Sequence, residues 1–404
     1  MISSELWQYV IRNLINRKLR SGLTILSIFV GIATLFIFIS FGLGLYTYVE
    51  DISDEMGVDK IIIQPKGTGQ IDDTFEFDKS DLNIIKKTRG ISSAAGMWYK
   101  SVKIDTGDDS AFAFFISLPE EDKNDFKLVM QFLTVDILKG RNVKKGDNNK
   151  VVLGYSYMFD NKILDKALKV GDKVEINKVT MDVIGFMEEI GNPSDDSNIY
   201  TTQETIYNLF DNYDKYSVIV TKVSNVNELD TTVERVEKKL RNHKDQEKGK
   251  ETFEVQSFTE LLATFSNVLN MIIGFIILIA LISVLTSAIN TANTMFTSIL
   301  ERTKEIGVLK SIGAKNSFIW MVFLMEASIL GFTAGVLGVL FGFILANIGA
   351  NILAATGFSF LQPLFSVSLF SYCILFATLV GAISGLIPAY NASKKNPVIS
   401  LRYE

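Results

Sequence analysis

Few side chains in this sequence could do chemistry, and they are easily surveyed. Asp72-Asp73, Asp108-Asp109 and Asp195-Asp196 are paired carboxylates, the oxygen ligands a hard cation such as calcium takes. None has the spacing of a dedicated calcium loop, so all three read as acidic solvated turns. His243 sits in the charged run Arg241-Asn242-His243-Lys244-Asp245 and reads as exposed. Cys373 lies in an apolar stretch and reads as packing or lipid-facing. With one Cys and one His in 404 residues, disulfide frameworks, zinc sites, His–carboxylate iron sites and Ser-His-Asp or Cys-His nucleophiles are nearly excluded. No metal site and no catalytic constellation is expected. No G-x-x-x-x-G-K-[ST] occurs, so nucleotide is not bound here through a P-loop. The net charge is −5 and no basic stretch carries interleaved aromatics, which argues against a nucleic-acid partner. One carboxylate stands out. Glu326 is followed by no charged residue until Lys394. A carboxylate inside a membrane span is costly, and either serves an ion relay or pairs with a cation near the span end.

The elements that must carry these residues follow from hydropathy. The chain is 48% hydrophobic with a mean hydropathy of +0.25, high for a soluble protein of this size. Four apolar segments reach the roughly 20 residues a bilayer requires. They are span 1 (23–49), span 2 (261–292), span 3 (317–347) and span 4 (365–390). Residues 50–260 hold 29 of the 40 Lys and Arg and 40 of the 45 Asp and Glu. That block is acidic and polar, as a water-facing domain set between spans would be. Basic residues precede span 1 (Arg12, Arg17, Lys18, Arg20), join spans 2 and 3 (Arg302, Lys304, Lys310, Lys315) and follow span 4 (Lys394, Lys395, Arg402). With four spans all three patches fall on one side, which is then cytoplasmic. Both termini are expected there, in a multi-pass protein of the cell membrane, with 50–260 outside and an external turn at 348–364. Span 1 is too long for a cleaved signal peptide and no small-x-small site follows it. Residues 1–22 form its cytoplasmic lead, an amphipathic basic helix with Leu6, Trp7, Val10, Ile11, Leu14 and Ile15 on one side. The tail is 391–404. In span 3, Gly331, Gly335, Gly338 and Gly342 recur at about one-turn spacing and predict a close helix-packing face.

Within 50–260, strand-like runs occur at Lys60–Gln64, Phe112–Leu118, Lys150–Tyr155 and Tyr216–Val223. Lys173–Ile176 and Val179–Phe186 predict a hairpin about Asn177-Lys178. Ser80–Thr88, capped by Ser80, and Glu228–Asn242 predict helices. The outer parts read strand–helix–strand and the middle, about 119–213, is richer in short strands. The fold class is therefore a membrane protein with four transmembrane α-helices, one N-terminal and three C-terminal. They flank a large extracytoplasmic α+β domain containing a β-rich insertion.

The most informative stretch is the connection 293–316. Glu301–Ala314 reads ERTKEIGVLKSIGA, with Ile306, Leu309 and Ile312 at helical spacing and Gly313 as a stop. A short amphipathic helix placed there would pass a push from a cytoplasmic partner to spans 2 and 3. Equally, it would serve as an interfacial linker on the lipid surface.

This stretch resembles the E-R-x-x-E-I-G-x-x-[KR]-[AS]-x-G-A motif of the MacB/FtsX-like ABC transporter permeases, which include the LolC and LolE lipoprotein-releasing proteins. The resemblance continues through Glu326 in Phe323–Ala327, the Gly-rich third span and the ending Gly385-Leu386-Ile387-Pro388-Ala389-Tyr390 with Asn396–Arg402. It includes the entry Arg17–Thr24. In the external block, Lys139-Gly140-Arg141 with Lys150–Gly154, and Val170–Val174 with Val183-Ile184-Gly185, are similar to the MacB-type periplasmic core. A short FtsX-type external domain would be much smaller.

The resemblance implies mechanical work. Family members form permease dimers, homo- or heterodimeric, on two ATPases, and the long helices carry ATP-driven closure outward. Substrate need not cross the lipid through the dimer. Glu301, Arg302, Thr303, Glu305, Ile306, Gly307, Leu309, Lys310, Gly313 and Ala314 would form the coupling segment seated on the ATPase. No cofactor is implied on this chain; ATP and magnesium belong to a partner ABC ATPase, expected as a separate polypeptide. An external adaptor or substrate is a further implied partner, with efflux and lipoprotein release among the implied activities. Since the family keeps a Glu at the position of Glu326 without known proton coupling, structural pairing is the expectation there. The chain itself is then a non-enzymatic permease subunit. The alternative is a membrane-anchored FtsX-like regulator that controls an extracellular hydrolase; the size of 50–260 favours the transporter.

Overall fold

A computed structural model of the chain describes residues 4–16, 18–66, 76–107, 109–210 and 215–395. Its helices are α1 (Ser4–Asn16), α2 (Lys18–Met56), α3 (Lys79–Lys86), α4 (Lys123–Leu133), α5 (Gln203–Phe210), α6 (Leu229–His243), α7 (Phe258–Glu301), α8 (Thr303–Ser311), α9 (Asn316–Ala355) and α10 (Val367–Ser393). The strands are β1 (Lys60–Pro65), β2 (Phe77–Asp78), β3 (Ile91–Met97), β4 (Tyr99–Asp105), β5 (Ser110–Leu118), β6 (Ile137–Gly140) and β7 (Lys150–Leu153), followed by β8 (Lys173–Ile176), β9 (Val179–Met187), β10 (Ile199–Thr202), β11 (Lys215–Tyr216), β12 (Val218–Val223) and β13 (Phe253–Ser257). Two compact units result. One holds Met1–Leu45, Val268–Ile352 and Leu361–Glu404; the other holds Tyr46–Asn267 and Leu353–Phe360.

The first unit is helical. Four helices, α2, α7, α9 and α10, are long and apolar enough to cross a membrane, one before the second unit and three after it. The glycines of α9 explain how these helices meet. A Cβ added at Gly331 would lie 2.5 Å from the Ala377 carbonyl oxygen, and one at Gly335 would lie 2.7 Å from the Ala377 methyl, so this stretch of α9 rests on α10. One turn further on, Gly338 and Gly342 face Phe29, Ile32, Ala33 and Phe36 of α2 instead. The expected packing face is therefore two consecutive faces, each with a different partner. From the other side, a Cβ at Gly381 would stand 2.6 Å from the Ala327 carbonyl oxygen. Backbones this close have no room for a side chain, and tight packing of this kind is what holds helices together in lipid. In contrast, α7 touches α2 along one stripe, with Val284 against Gly31 and the Ser287 hydroxyl donating to the Ser27 carbonyl at 2.7 Å. Much of the remaining surface of α7 is exposed, while Thr291, Met295, Ser298 and Ile299 near its end are buried. α1 does more than lie on lipid, because Val10 is fully buried against Val322 of α9. Arg17 falls outside the described residues, and for Trp7 and Arg20 only the backbone is described.

The second unit is α+β, with two main sheets. The four-stranded sheet has order β13-β1-β12-β3, all antiparallel. Its strands are buried on both faces, so residues alternate between two cores. Ile61 and Ile63 of β1 pack under α3 and α6, and Ile62 packs on the face that carries α4. The larger sheet has order β6-β9-β7-β10-β5-β4-β8, and β8 also pairs with β9. This extra pairing closes a six-stranded barrel, whose interior holds Phe115, Val151, Leu153, Ile176, Met181 and Phe186.

The barrel is the β-rich insertion, but its start differs from the expectation. β4 and β5 belong to the barrel, so the insertion begins near Tyr99 and not near 119. Phe112–Leu118 reads as a strand from its own sequence, while its partners are fixed by long-range pairing. The expected hairpin is present: Ile176 faces Val179, and Asn177 and Lys178 both have positive φ (49° and 66°), as a two-residue turn of this twist requires. α3 is capped two residues earlier than expected. Asp78, not Ser80, accepts from the Asp81 amide, and Asp81 returns a bond to the Asp78 amide at 3.0 Å.

Candidate functional site

The segment 301–314 folds as α8 flanked by two designed ends. Arg302 stands at its N-cap and Ile312 at its C-cap. Gly313 has φ +99°; its amide donates to the Lys310 carbonyl at 3.1 Å and that of Ala314 to the Leu309 carbonyl at 3.0 Å. This is a Schellman end, and it assigns Gly313 and Ala314 a local task. Only a residue tolerant of left-handed backbone suits position 313.

One face of α8 is locked inward. Ile306 is 2% exposed and packs with Met295, Ile299, Ile319, Phe323 and Ala389. Thr303 and Gly307 are buried beside it and Leu309 is half-buried. The Thr303 hydroxyl donates to the Leu300 carbonyl at 2.8 Å, joining α8 to the end of α7. Lys310 reaches across to the end of α10, where its ammonium donates to the Ser393 and Lys395 carbonyls at 2.6 and 2.8 Å. Burial pulls that ammonium below the ordinary lysine range. A cation on these terminal carbonyls also suits the helix dipole.

Arg302 is the hub. Its guanidinium donates to Glu326 of α9 at 3.1 Å, to Glu305 at 3.0 Å and to the Tyr9 hydroxyl of α1 at 3.1 Å, over the Phe323 ring. Arg302 and Glu326 are both nearly buried, at 5% and 6% side-chain exposure. The intramembrane carboxylate thus pairs with a cation from the connection between spans. One arginine ties α8 to α9 and α1.

The outer face of α8 carries Lys304, Glu305, Val308 and Ser311, with Ile312 at its end and Glu301 just before it. Here the structure corrects the sequence reading. Ile312 shares the helical spacing of Ile306 and Leu309, yet it is 77% exposed because the helix stops at Ser311. Val308, 50% exposed, lies one turn before it. The two make an apolar spot that the three-residue periodicity did not reveal; the signal available was the i, i+4 spacing of Val308 and Ile312 just before a Gly stop.

The other candidates lie in the second unit. Asp72, Asp73 and Asp108 fall outside the described residues. Asp109 accepts from the Asp165 amide at 2.9 Å and orders a loop. Asp195 and Asp196 are not a solvated turn: Asp196 is buried and accepts from the Ile190 and Gly191 amides, and burial raises both carboxyls above the usual range. His243 hydrogen-bonds to Ser80 at 2.8 Å. Among the described residues Asp78, Asp81 and His243 are close enough to share a cation, but the Lys244 ammonium already sits 2.7 Å from Asp81 and supplies positive charge there. Cys373 is buried between α2, α9 and α10. In the family-like run Lys139–Arg141, Gly140 (φ +81°) and Gly185 press β6 against β9, where a Cβ at Gly185 would meet the Arg141 carbonyl oxygen at 2.7 Å. Arg141 then forks onto Asp147 at 2.5 and 2.9 Å, and Lys150 joins at 2.7 Å. This cage holds the Asp147 carboxyl far below its ordinary value, chiefly through the Arg141 hydrogen bonds.

An α+β unit thus lies between one candidate span and three, and α8 is locked across the ends of those helices. Residues 21–239 match the MacB-like periplasmic core domain, and residues 265–397 match the FtsX-like permease C-terminal family. The chain belongs to the MacB/FtsX-type family of ABC transporter permeases. It is 30% identical to an uncharacterized ABC transporter permease of Methanocaldococcus jannaschii, over 98% of this chain and 97% of that one. It is 25% identical to the uncharacterized ABC transporter permease YknZ of Bacillus subtilis, over 96% of each. To the macrolide export ATP-binding/permease protein MacB of Mannheimia succiniciproducens it is 27% identical, over 99% of this chain but 61% of that protein.

Proposed function

We propose that this chain is the membrane subunit through which an ABC ATPase moves an external domain to export or release a substrate at the outer membrane face. The observation that carries the reading is α8: its inner face is fastened to α1, α7, α9 and α10, and its outer face is left open. A partner pressing on Lys304, Glu305, Val308 and Ile312 would push on a helix that cannot move alone. α2 and α7, at 39 and 44 residues, extend roughly 58 and 66 Å at 1.5 Å per residue, about twice the hydrocarbon thickness. Such rods suit the transmission of a displacement from one face to the other. Orientation follows the basic patches, with α8 and both chain ends cytoplasmic.

The relatives matched end to end are named permeases only, and the ATP-binding/permease protein is matched over part of its length. That pattern favours an ATPase, with its ATP and magnesium, on a separate chain. A second permease copy is supported by α7. Ser283, Thr286, Asn290, Asn293 and Thr297 repeat at alternating three- and four-residue spacing on its exposed side. Asn side chains are costly in lipid and pair readily across helices. No observation favours the anchored-regulator reading over this one.

The test is capture and stimulation of the neighbouring ABC ATPase by the chain in detergent, with Glu305→Lys as the probe. Glu305 is more than half exposed but accepts from Arg302, so Ile312→Asp, on the same open face and without that bond, is tested beside it and should abolish coupling with the fold intact. Normal ATPase capture and activity in that variant would overturn the assignment of α8.

A further inference from the structure

The second unit contains a cavity of about 720 Å³ that the coupling machinery does not use. It lies between the external end of α2, the α4 face of the four-stranded sheet and the outer face of the barrel. Its volume is in the range of sites for drug-sized molecules. Its walls are of two kinds. Tyr99, Phe114, Phe132 and Tyr200 line it with aromatic surface, and Glu55, Glu188, Glu189 and Asp195 line it with carboxylates. Not one lining residue is Lys, Arg or His. Cavities with apolar walls and a single sign of charge concentrate ions of the opposite sign. Aromatic faces attract the same ions.

A second, independent feature points to a ligand. Asn198, 6% exposed, lines this cavity, and its side-chain oxygen has no hydrogen-bond partner among the described residues. Its amide faces Asp195. The Thr134 hydroxyl, also in the wall, is likewise buried and unpartnered. Buried polar atoms are rarely left unsatisfied, and an acceptor left open beside carboxylates asks for a donor with positive charge. Burial pushes the neighbouring Tyr99 phenol up to about 12, so it stays neutral and adds no charge of its own.

We propose that this cavity binds an amphiphilic ammonium: a protonated amine on an apolar, preferably aromatic, body. The amine N–H groups meet Asn198 and the carboxylates, and the body lies on the aromatic wall. That such a ligand is cargo would rest on the permease reading; its binding would not.

The test uses the full chain in lipid nanodiscs without any ATPase, and three probes of one shape: 2-(1-naphthyl)ethylammonium, 2-(1-naphthyl)ethanol and 1-naphthylacetate. Binding is read by naphthyl fluorescence anisotropy against empty nanodiscs. The ammonium should bind at least about tenfold more tightly than the alcohol, and the carboxylate should not bind. Glu188→Gln with Glu189→Gln should weaken the ammonium about tenfold and leave the alcohol unchanged, as expected for two partly exposed charges. Thr134→Val should weaken the ammonium with no loss of thermal stability, since it removes an unpartnered hydroxyl. Equal binding of all three probes would overturn the proposal. So would ammonium binding that the variants leave untouched, which would report the lipid surface. Because no ATPase is present, failure here leaves the coupling reading standing, and failure of ATPase capture leaves this site standing.

Discussion

Removing Arg302 should damage this protein more than removing its partner Glu326, and removing both should damage it least. Both side chains are about 95% buried and 3.1 Å apart. Arg302→Met leaves a buried carboxylate without its cation, an error that costs about 3–5 kcal/mol. Glu326→Leu leaves Arg302 with Glu305 and the Tyr9 hydroxyl, so about 2–3 kcal/mol is expected. The double variant Arg302→Met with Glu326→Leu leaves no orphaned charge and should lie within about 1 kcal/mol of the parent. The coupling energy of the cycle is then on the order of 4 kcal/mol, well beyond additive behaviour. The assay is unfolding in mixed SDS micelles, followed by circular dichroism on all four proteins. The outer face of α8 is unchanged in the double variant, so it should still capture the ATPase. Additive losses, or equal losses for the two single variants, would refute the account of Arg302 as a hub inside a charge pair. A folded double variant that captures nothing would show that the pair does more than hold α8 in register.

Further outcomes follow from other parts of the molecule. Gly381→Leu should prevent α9 and α10 from closing, with a loss of roughly 3 kcal/mol or no folded protein, while Gly274→Ala, which meets nothing within 4 Å, should be silent; melting in detergent checks both. Ile312→Asp should abolish ATPase capture with the melting temperature unchanged, since 77% of that side chain faces outward. Lys178→Gly should stabilise the second unit by up to about 1 kcal/mol, because position 178 holds φ +66° in a two-residue turn; thermal unfolding measures it. Glu251 is held down to about 2, first by its Arg241 hydrogen bond, from an ordinary value of 4.5. A depressed carboxyl stabilises the fold fully above the ordinary value and less as pH falls toward the folded one. The melting temperature should therefore fall between pH 4.5 and 2 with a slope that Glu251→Gln reduces.

Much of this was legible in the chain because the signals are local. Spans are visible as apolar runs, since lipid demands about 20 such residues whatever surrounds them. The Asn177-Lys178 hairpin and the Gly313 stop depend on backbone preferences of one or two residues. Four glycines at one-turn spacing announced close packing but not its partners, and the hand-over from α10 to α2 needed the assembled helices. The sequence also marked Glu326 as a costly charge inside a span, and the family resemblance favoured pairing with a cation over an ion relay. Choosing Arg302 among four basic residues in the same connection required the fold, because 24 positions of chain separate the two. Closure of the barrel through β8 and β9, the inclusion of β4 and β5 in it, and the burial of Asp195-Asp196 all rest on pairings between distant segments. The same holds for the cavity lined by Asn198 and Thr134. Local patterns set which segments become helix, strand or span; which side chains face one another was decided only when tertiary packing brought distant segments together.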